Sequence, residues 1–262
     1  MTSIPRRLLL MSVFLVAPCL ADPLNNSPSI AIIIDDLGDQ RLAGERVVRL
    51  PGAVTVSILP HTPYAVRLAR SAHAGHKEVL LHLPLESDRN LRPGPGVMQS
   101  DMNQQLFMIT LLMNLDALPH LSGVNNHMGS KLTRYPRQMN WLMTSLNARS
   151  LFFVDSFTTP ESVAYQVAAE QGTPTARRHV FLDDDRDPAE ILRQFERLLG
   201  SAKRRGYAVA IGHPYEETLT LLEDVLPKLD SYGVQLVPVS SIIDLDAAQR
   251  AQRLGGEQVA GY

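Results

Sequence analysis

Cysteine is almost absent from this sequence, since Cys19 is the only one among 262 residues. A single thiol excludes an internal disulfide, so the fold must be held together by its hydrophobic core. The chain is long enough for this, because roughly 240 residues suit one large α/β domain. Hydrophobic residues make up 45% and charged residues 20% of the chain, which excludes disorder for most of it.

Several signatures of common enzyme classes are also missing. The sequence has no G-x-S-x-G turn, no P-loop and no G-x-G-x-x-G turn after its first apolar segment. Hydrolases with a serine nucleophile and nucleotide-binding sheets are therefore disfavoured. The net charge is −2, and no run of lysine and arginine is long enough to follow a phosphate backbone. Nucleic acid is not expected as a partner.

Residues 1–21 have the features of a secretory signal peptide. Arg6 and Arg7 give a positive start, residues 8–16 are almost all apolar, and small residues precede Ala21. The apolar run is far shorter than the ~20 residues that span a bilayer, which argues against a membrane helix. A lipid-modified Cys19 is a minor alternative. We predict cleavage after Ala21, a periplasmic or otherwise extracytoplasmic mature protein, and no transmembrane segment after cleavage.

The mature chain is predicted to be one domain, covering residues 30–246, between a flexible leader (22–29) and a loose tail (247–262). Short apolar segments alternate with amphipathic ones, which is typical of strands and helices that follow each other in a parallel sheet. At this length, and without a nucleotide-binding turn, the sequence favours an α/β fold of the (β/α) barrel type with seven or eight parallel strands. The predicted strands are 30–34, 53–59, 78–83, 123–126, 151–154, 179–182, 207–211 and 234–239.

The predicted helices often begin with proline and end before glycine, as helices tend to do. They cover residues 63–74, 101–118, 136–149, 160–171, 188–205 and 216–232. A long loop over residues 84–100 has no regular period and contains Arg92. Loops of this length in a compact domain are usually functional or mobile.

Polar side chains follow nearly every predicted strand. In parallel α/β folds the active site forms at the carboxyl ends of the strands, so these side chains are expected at one rim. A cluster of this kind is costly unless its members are paired or bound to a metal. The residues are Asp35, Asp36, His61, His82, Glu86, Asn126, His127, Asp155 and His213.

Several polar residues at the strand ends could have a structural role instead of a functional one. One of the adjacent carboxylates of Asp35 and Asp36 could cap the next helix, although the pair favours one cation ligand and one group facing substrate. His82 lies in an apolar segment and could be a satisfied core residue. His213, between a glycine and a proline, is favoured as a general acid or base. The acidic run that starts at Asp183 is interpreted as a solvated helix start.

Histidines and carboxylates at a barrel rim, without a nucleophile, indicate hydrolysis by a metal-activated water. The segments that contain them resemble the divergent polysaccharide deacetylases over residues 30–243. The resemblance implies a distorted (β/α) barrel, related to the carbohydrate esterases that remove N-acetyl groups from chitin-like and peptidoglycan sugars. The matching segments are I-I-D-D-L-G (33–38), G-H (75–76), L-H-L-P-L-E (81–86), N-N-H-M-G-S (125–130), F-V-D-S (153–156) and I-G-H-P (211–214).

The resemblance also assigns roles to individual residues. It makes Asp35 the general base, Asp36 a metal ligand and His213 the catalytic acid. His82 matches the first histidine of the relatives' H-x-x-x-H pair, and Glu86 stands where the second would be. The implied cofactor is a divalent metal, with zinc as the expected identity.

One metal ligand is left open by these departures. The relatives' third motif, which contains arginine, is replaced here by residues 126–129, so His127 and Glu86 are both candidates for the missing ligand. Zinc accepts either. Asn126, Asp155, His61 and Arg92 are predicted to bind substrate.

The expected function is removal of N- or O-acetyl groups from a polysaccharide or a peptidoglycan-like glycan of the cell envelope. Two alternatives remain open. The first is a catalytically inactive periplasmic protein that binds glycan or the cell-wall hydrolase machinery. The second is a metal hydrolase that acts on another bond.

Overall fold

A computed structural model describes residues 27–89 and 93–259, with side chains up to residue 252. The predicted signal peptide, most of the predicted leader, and Arg92 lie outside the described residues. In the described ranges, no helix is both long enough and apolar enough to cross a bilayer.

One parallel sheet forms the centre of the domain. Its strands follow the order β6-β5-β4-β3-β2-β1-β8-β7, and β9 pairs with the start of β1. β1 pairs with both β2 and β8, and the sheet curls into a half-barrel that is open between β6 and β7. The predicted distorted (β/α) barrel is confirmed. The strands are β1 Ser29–Leu37, β2 Thr55–Ile58, β3 Val79–Leu85, β4 Leu121–Met128, β5 Phe152–Asp155, β6 Thr175–Arg177, β7 Val180–Phe181, β8 Tyr207–Gly212 and β9 Gln235–Leu236.

Helices cover the outer face of the sheet. All six predicted helices are present, the last one divided into α7 and α8, whereas α1, α9 and the short strand β6 were not predicted. Only Gly44 and Val47 are buried in α1, so its apolar periodicity is too weak to read from sequence. The helices are α1 Arg41–Val48, α2 Ala65–Ala74, α3 Gln104–Asp116, α4 Pro136–Ala148, α5 Ala164–Glu170, α6 Pro188–Arg205, α7 Glu216–Val225, α8 Leu229–Tyr232 and α9 Val239–Val259.

Strand alternation divides the core into two clusters. Successive side chains of a strand point to opposite faces. In β1, Ile30, Ile32 and Ile34 join the large cluster under the helices, while Ala31 and Ile33 join a smaller cluster inside the barrel. The same alternation places Asp35, the next odd-numbered residue of β1, inside the barrel.

The lower end of the barrel interior is closed by α9. Its first turns place Val239, Ile242 and Ile243 in the interior cluster. The strand predicted over 234–239 is therefore too long, since β9 ends at Leu236 and the helix begins three residues later.

The loose tail predicted from residue 247 is also wrong as far as Val259, because α9 continues to that residue. Asp246 accepts hydrogen bonds from the hydroxyls of Tyr165 and Tyr207. One turn later, Gln249 donates to the backbone oxygen of Arg205. These contacts tie the second half of the helix to the domain, and none of them is visible in the local sequence.

Candidate metal centre at the barrel rim

Three potential ligand atoms meet at the carboxyl end of the sheet. Asp36 Oδ1 lies 3.1 Å from His82 Nε2 and 2.9 Å from His127 Nδ1. The two imidazole nitrogens are 3.1 Å apart. Ligands at 2.0–2.1 Å from a tetrahedral zinc ion are about 3.3 Å from one another. These three atoms therefore form a triangle of nearly the size of one face of a zinc coordination shell.

The surroundings of the Asp36 carboxylate fit a cation. Its Oδ1 is buried, and no N–H of the described residues is aimed at it, although both imidazoles are close. Burial acts to raise the pKa of Asp36, but the adjacent His127 and His82 lower this pKa far below its usual range. Asp36 is thus a permanent carboxylate facing two nitrogens, and one carboxylate with two imidazoles is a donor set that fits zinc.

Strand alternation explains why the histidines converge. Leu80 is in the interior cluster, so His82, two residues further along β3, faces the same side. In β4, Asn125 and His127 are likewise two apart, and Asn125 is aligned with His82 in the β3–β4 register.

Asp36 reaches the group by a different route. By alternation it should face outward, because Asp35 continues the interior positions of β1. Its φ of 56° is instead in the left-handed region, which turns its side chain to the rim. The β1–β2 register shifts at the same place, between Ile34 and Leu37. Backbone conformations of this kind are costly and concentrate at functional sites.

Asn125, which the sequence analysis did not select, holds two site residues in place. Its Nδ2 donates to Asp35 Oδ1 at 2.8 Å, and its Oδ1 lies 2.8 Å from His82 Nδ1. The Ser57 hydroxyl also donates to Asn125 Oδ1, at 2.6 Å. Because an amide oxygen can only accept, His82 carries a proton on Nδ1, and Nε2 is the ring nitrogen directed at the group.

Asp35 is buried beside the three ligand atoms. With Oδ1 engaged by Asn125, its Oδ2 lies 3.6 Å from His82 Nε2. Burial acts to lower the pKa of His82, but the charges of Asp35 and Asp36 outweigh it, so the pKa is raised.

His213 is held beside Asp36 by Asp183. The imidazole Nδ1 is 2.9 Å from Asp183 Oδ1, and its Nε2 is 3.8 Å from Asp36 Oδ2. Asp183 also accepts from the backbone N–H of His213 at 2.6 Å and from the hydroxyl of Thr218 at 2.7 Å. Burial acts to lower the pKa of His213, but Asp183 first, and then the charges of Asp36 and Asp35, raise it to about 9.

The interpretation of Asp183 as part of a solvated helix start is therefore wrong, since this side chain is 3% exposed. The rest of the run, residues 184–187, is exposed, and its last residue caps α6. Its position just after a strand was the available signal, but the acidic neighbours obscured it.

Glu86 is directed away from the ligand group. Its carboxylate lies 2.7 Å from Lys131 Nζ and accepts from the backbone N–H of Ser100 at 2.8 Å and from its hydroxyl at 2.6 Å. Burial acts to raise the pKa of Glu86, but Lys131 and Ser100 lower it. Of the two candidates for the open ligand position, the structure brings His127, and not Glu86, to Asp36 and His82.

Two predicted substrate-binding residues are engaged within the protein. Asn126 accepts from the backbone N–H of Ser156 and donates to the backbone oxygen of Met128. Asp155 accepts from the backbone N–H of Phe157 and from the hydroxyl of Ser162. Burial raises the pKa of Asp155. Both side chains are at most 1% exposed, and neither lines the rim cavity.

The site opens into a cavity of about 630 Å³. Besides Asp36, His127 and His213, the lining includes His61, whose Nε2 lies 2.9 Å from Asn114 Oδ1. Of the described residues that were predicted to bind substrate, His61 is the one that lines this cavity.

Comparison with known proteins gives consistent matches over the barrel. The family model described as "Divergent polysaccharide deacetylase" matches residues 32–243. An uncharacterised protein of Haemophilus influenzae is 33% identical over 213 residues, which cover 81% of this chain and 76% of that protein.

Two solved structures share the fold. An uncharacterised protein from Agrobacterium tumefaciens C58 has a TM-score of 0.79 at 23% identity, covering 82% of this chain and 89% of the other. A mutant of a CE4 family pseudoenzyme, with restored enzymatic activity, has a TM-score of 0.52 at 13% identity, covering 83% and 68%.

Proposed function

This chain belongs to the divergent polysaccharide deacetylase family, and from that premise we propose that it is a metal-dependent hydrolase. Its fold is related to that of the CE4 family. The proposed reaction removes an N- or O-acetyl group from a polysaccharide or a peptidoglycan-like glycan of the cell envelope. The observation that carries the proposal is the convergence of Asp36, His82 and His127 between two further groups, Asp35 and His213.

In this proposal Asp36, His82 and His127 hold the metal. A divalent ion such as zinc, when bound there, supplies an acidified water and a Lewis acid for the acyl oxygen. Asn125 fixes the tautomer of His82 through its hydrogen bond to Nδ1, so that Nε2 remains a ligand.

Asp35 and His213 are the groups that move protons. Asp35 takes up a proton at Oδ2, since Asn125 already occupies its Oδ1. His213 carries a proton at Nε2 and gives it to the leaving nitrogen or oxygen, while Asp183 holds the ring through Nδ1. A pKa of about 9 keeps His213 protonated at neutral pH, as a general acid requires.

The rim cavity suits a carbohydrate ligand. Its volume of about 630 Å³ lies within the range of small-molecule sites. Tyr215 lines it 5.3 Å from the His213 ring, and the Arg186 guanidinium lies 4.4 Å from the centre of the Tyr215 ring. Aromatic and charged side chains of this kind can contact the apolar face and the hydroxyls of a sugar.

A second candidate is an inactive protein that binds glycan or the cell-wall hydrolase machinery. The observation in its favour is Glu86, which stands where relatives have a second histidine and is engaged by Lys131. In this alternative, the rim cavity would still bind a glycan but would release no acetate.

We also propose that the protein is exported and works in the periplasm or outside the cell. The support is the arrangement of charged, apolar and small residues in positions 1–21. N-terminal sequencing of the exported protein tests this. A first residue at Asp22 supports it, and a retained Arg6-Arg7 segment contradicts it.

The test of function combines two measurements on mature protein purified without added metal ions. Elemental analysis should find about one divalent ion per chain. Acetate release should be seen with at least one of three substrates: chitooligosaccharides, intact peptidoglycan or an O-acetylated polysaccharide. Metal without acetate release on any of them contradicts the proposed activity, and glycan binding in that case supports the inactive alternative.

A further inference from the structure

A second cavity lies at the opposite end of the barrel from the metal centre. Its volume is about 640 Å³, and it is bounded by β6, the end of α6, the start of β8 and the middle of α9. Tyr207, the first residue of β8, lines this cavity, and His213 follows the last residue of the strand at the rim. The length of β8, about 20 Å, separates the two.

Positive charge dominates this lower cavity. Four arginines line it, together with one carboxylate, that of Asp246. Arg250 Nε lies 3.0 Å from Asp246 Oδ2. Within the described part of the chain, the other three arginines have no ion pair with a carboxylate. These three are Arg177, Arg204 and Arg205.

Two tyrosines donate hydrogen bonds to Asp246, the one carboxylate in this lining. The hydroxyl of Tyr165 donates to Asp246 Oδ2 at 2.6 Å, and the hydroxyl of Tyr207 donates to Oδ1. Burial, together with the hydrogen bond to Asp246, raises the pKa of Tyr165 to about 12, so it remains a donor. Both carboxylate oxygens are therefore engaged, and because this one carboxylate faces four guanidinium groups, the cavity keeps an excess of positive charge.

His179 adds a neutral donor to the same lining. Its Nδ1 accepts the backbone N–H of Val209 at 3.0 Å, so the neutral ring carries its proton on Nε2. Burial and the nearby charges of Arg205 and Arg177 lower the pKa of His179 to about 4. The ring is thus neutral at physiological pH, and no acceptor in the described part of the chain takes a hydrogen bond from its Nε2–H.

Helix stability alone does not account for the cluster. Arg204 and Arg205 are at the C-terminal end of α6, where cations favour the helix dipole. Arg177 and Arg250 come from β6 and α9, and their guanidinium carbons lie 5.7 Å and 5.5 Å from the centre of the Tyr165 ring. Three separate elements thus bring guanidinium groups to one cavity.

We propose that this lower cavity binds the phosphoryl group of a phosphate ester. Guanidinium groups bind phosphate oxygens through paired, charge-assisted hydrogen bonds. A cavity of about 640 Å³ is far larger than a free phosphate ion, so the rest of an ester has room beside the phosphoryl group. The site does not depend on the rim chemistry.

Titration calorimetry with three probes tests the proposal: glucose 1-phosphate, inorganic phosphate and glucose. Glucose 1-phosphate should bind, with an affinity that falls as salt is added, because screening weakens charge interactions. Inorganic phosphate should bind more weakly, and glucose should not bind. Equal affinity for the two phosphate probes overturns the assignment to an ester, and absence of binding by both overturns the site.

Amino-acid substitutions test whether glucose 1-phosphate binds in the lower cavity. Arg177→Gln should weaken binding of glucose 1-phosphate about tenfold, the effect of one charge-assisted contact. Arg193→Gln, on the exposed side of α6, is the matched control and should keep the affinity of the wild type. Asp36→Ala should also keep the affinity for glucose 1-phosphate. A lower affinity in this variant would mean that the phosphate binds at the rim. If Arg177→Gln does not fold, the exposed Arg204→Gln replaces it, and unchanged affinity in the folded variant overturns the proposal.

Discussion

The two ends of the barrel, which β8 joins, differ in how their charges are paired. At the rim, Asp35, Asp36 and Asp183 are interleaved with three histidines, and nearly every polar atom has a neighbour within the protein. At the lower end, arginines surround a cavity whose one carboxylate is already bound by tyrosines. Between them lies the apolar interior cluster, closed by α9.

This difference indicates two kinds of site. The rim groups fix one another before any ligand arrives, which is what an arrangement for proton transfer requires. Of the four lower arginines, Arg250 is paired with Asp246, whereas the other three have no carboxylate partner among the described residues and remain available to an outside anion. Changes at the rim should therefore affect metal binding and catalysis, and changes in the apolar interior cluster should affect the free energy of unfolding.

The largest effect is expected from removing a metal ligand. Asp36→Ala and His127→Ala should both lose bound metal and reduce acetate release to background. Glu86→Gln is the matched control and should keep the metal, because Glu86 is engaged by Lys131 and Ser100. Elemental analysis of the three variants decides this, and loss of metal in Glu86→Gln would contradict the ligand set.

The next largest effect concerns the base. Asp35→Asn should retain the metal and lower the rate of acetate release about 10²–10⁴-fold, since an amide cannot take up the proton. The amide still fits beside Asn125, so the melting temperature should change little. Steady-state kinetics and elemental analysis on the same preparation test this, and joint loss of metal and activity would make Asp35 a ligand instead.

A change in the apolar interior cluster should lower stability and leave metal binding unchanged. Ile242→Ala removes a fully buried side chain of α9 and should lower the free energy of unfolding by about 2–5 kcal/mol. Leu245→Ala, three residues away and 40% exposed, should cost about 0.5 kcal/mol or less. Denaturant unfolding measures both. Metal content should be unchanged, and its loss in Ile242→Ala would show that the two ends are coupled.

The smallest effect is a pH dependence of stability in the metal-free protein. Because the pKa of His213 is raised to about 9 by its folded surroundings, its protonated form stabilises the fold below about pH 6.5. This contribution, on the order of 1–3 kcal/mol, is lost as pH rises through 9. Asp183→Asn removes the carboxylate that contributes most to raising the pKa of His213.

The melting temperatures of wild type and Asp183→Asn, compared from pH 6 to pH 10, should therefore approach each other as pH rises. A difference that stays constant over this range would mean that Asp183 acts only through its hydrogen bonds to the His213 backbone and to Thr218.

Much of the fold could be predicted because it depends on local patterns. Alternating short apolar segments and amphipathic helices are sufficient to indicate a parallel barrel, and the carboxyl ends of its strands indicate the rim. Asp35, Asp36, His82, His127 and His213 were selected in this way, and the structure brings all five together. The interior positions of β1, β3 and β4 follow from a period of two along each strand.

The choice among the polar residues was left to tertiary structure. The left-handed backbone at Asp36, the pairing of His213 with Asp183 thirty residues earlier, and the engagement of Glu86 by Lys131 depend on chain segments that meet only after folding. The same holds more strongly for the lower cavity, because α9 is far in sequence from β6 and α6, and neither β6 nor α9 was predicted. Periodicity specifies which face a residue is on, but hydrogen bonds and charge pairs between distant segments decide what that residue contacts.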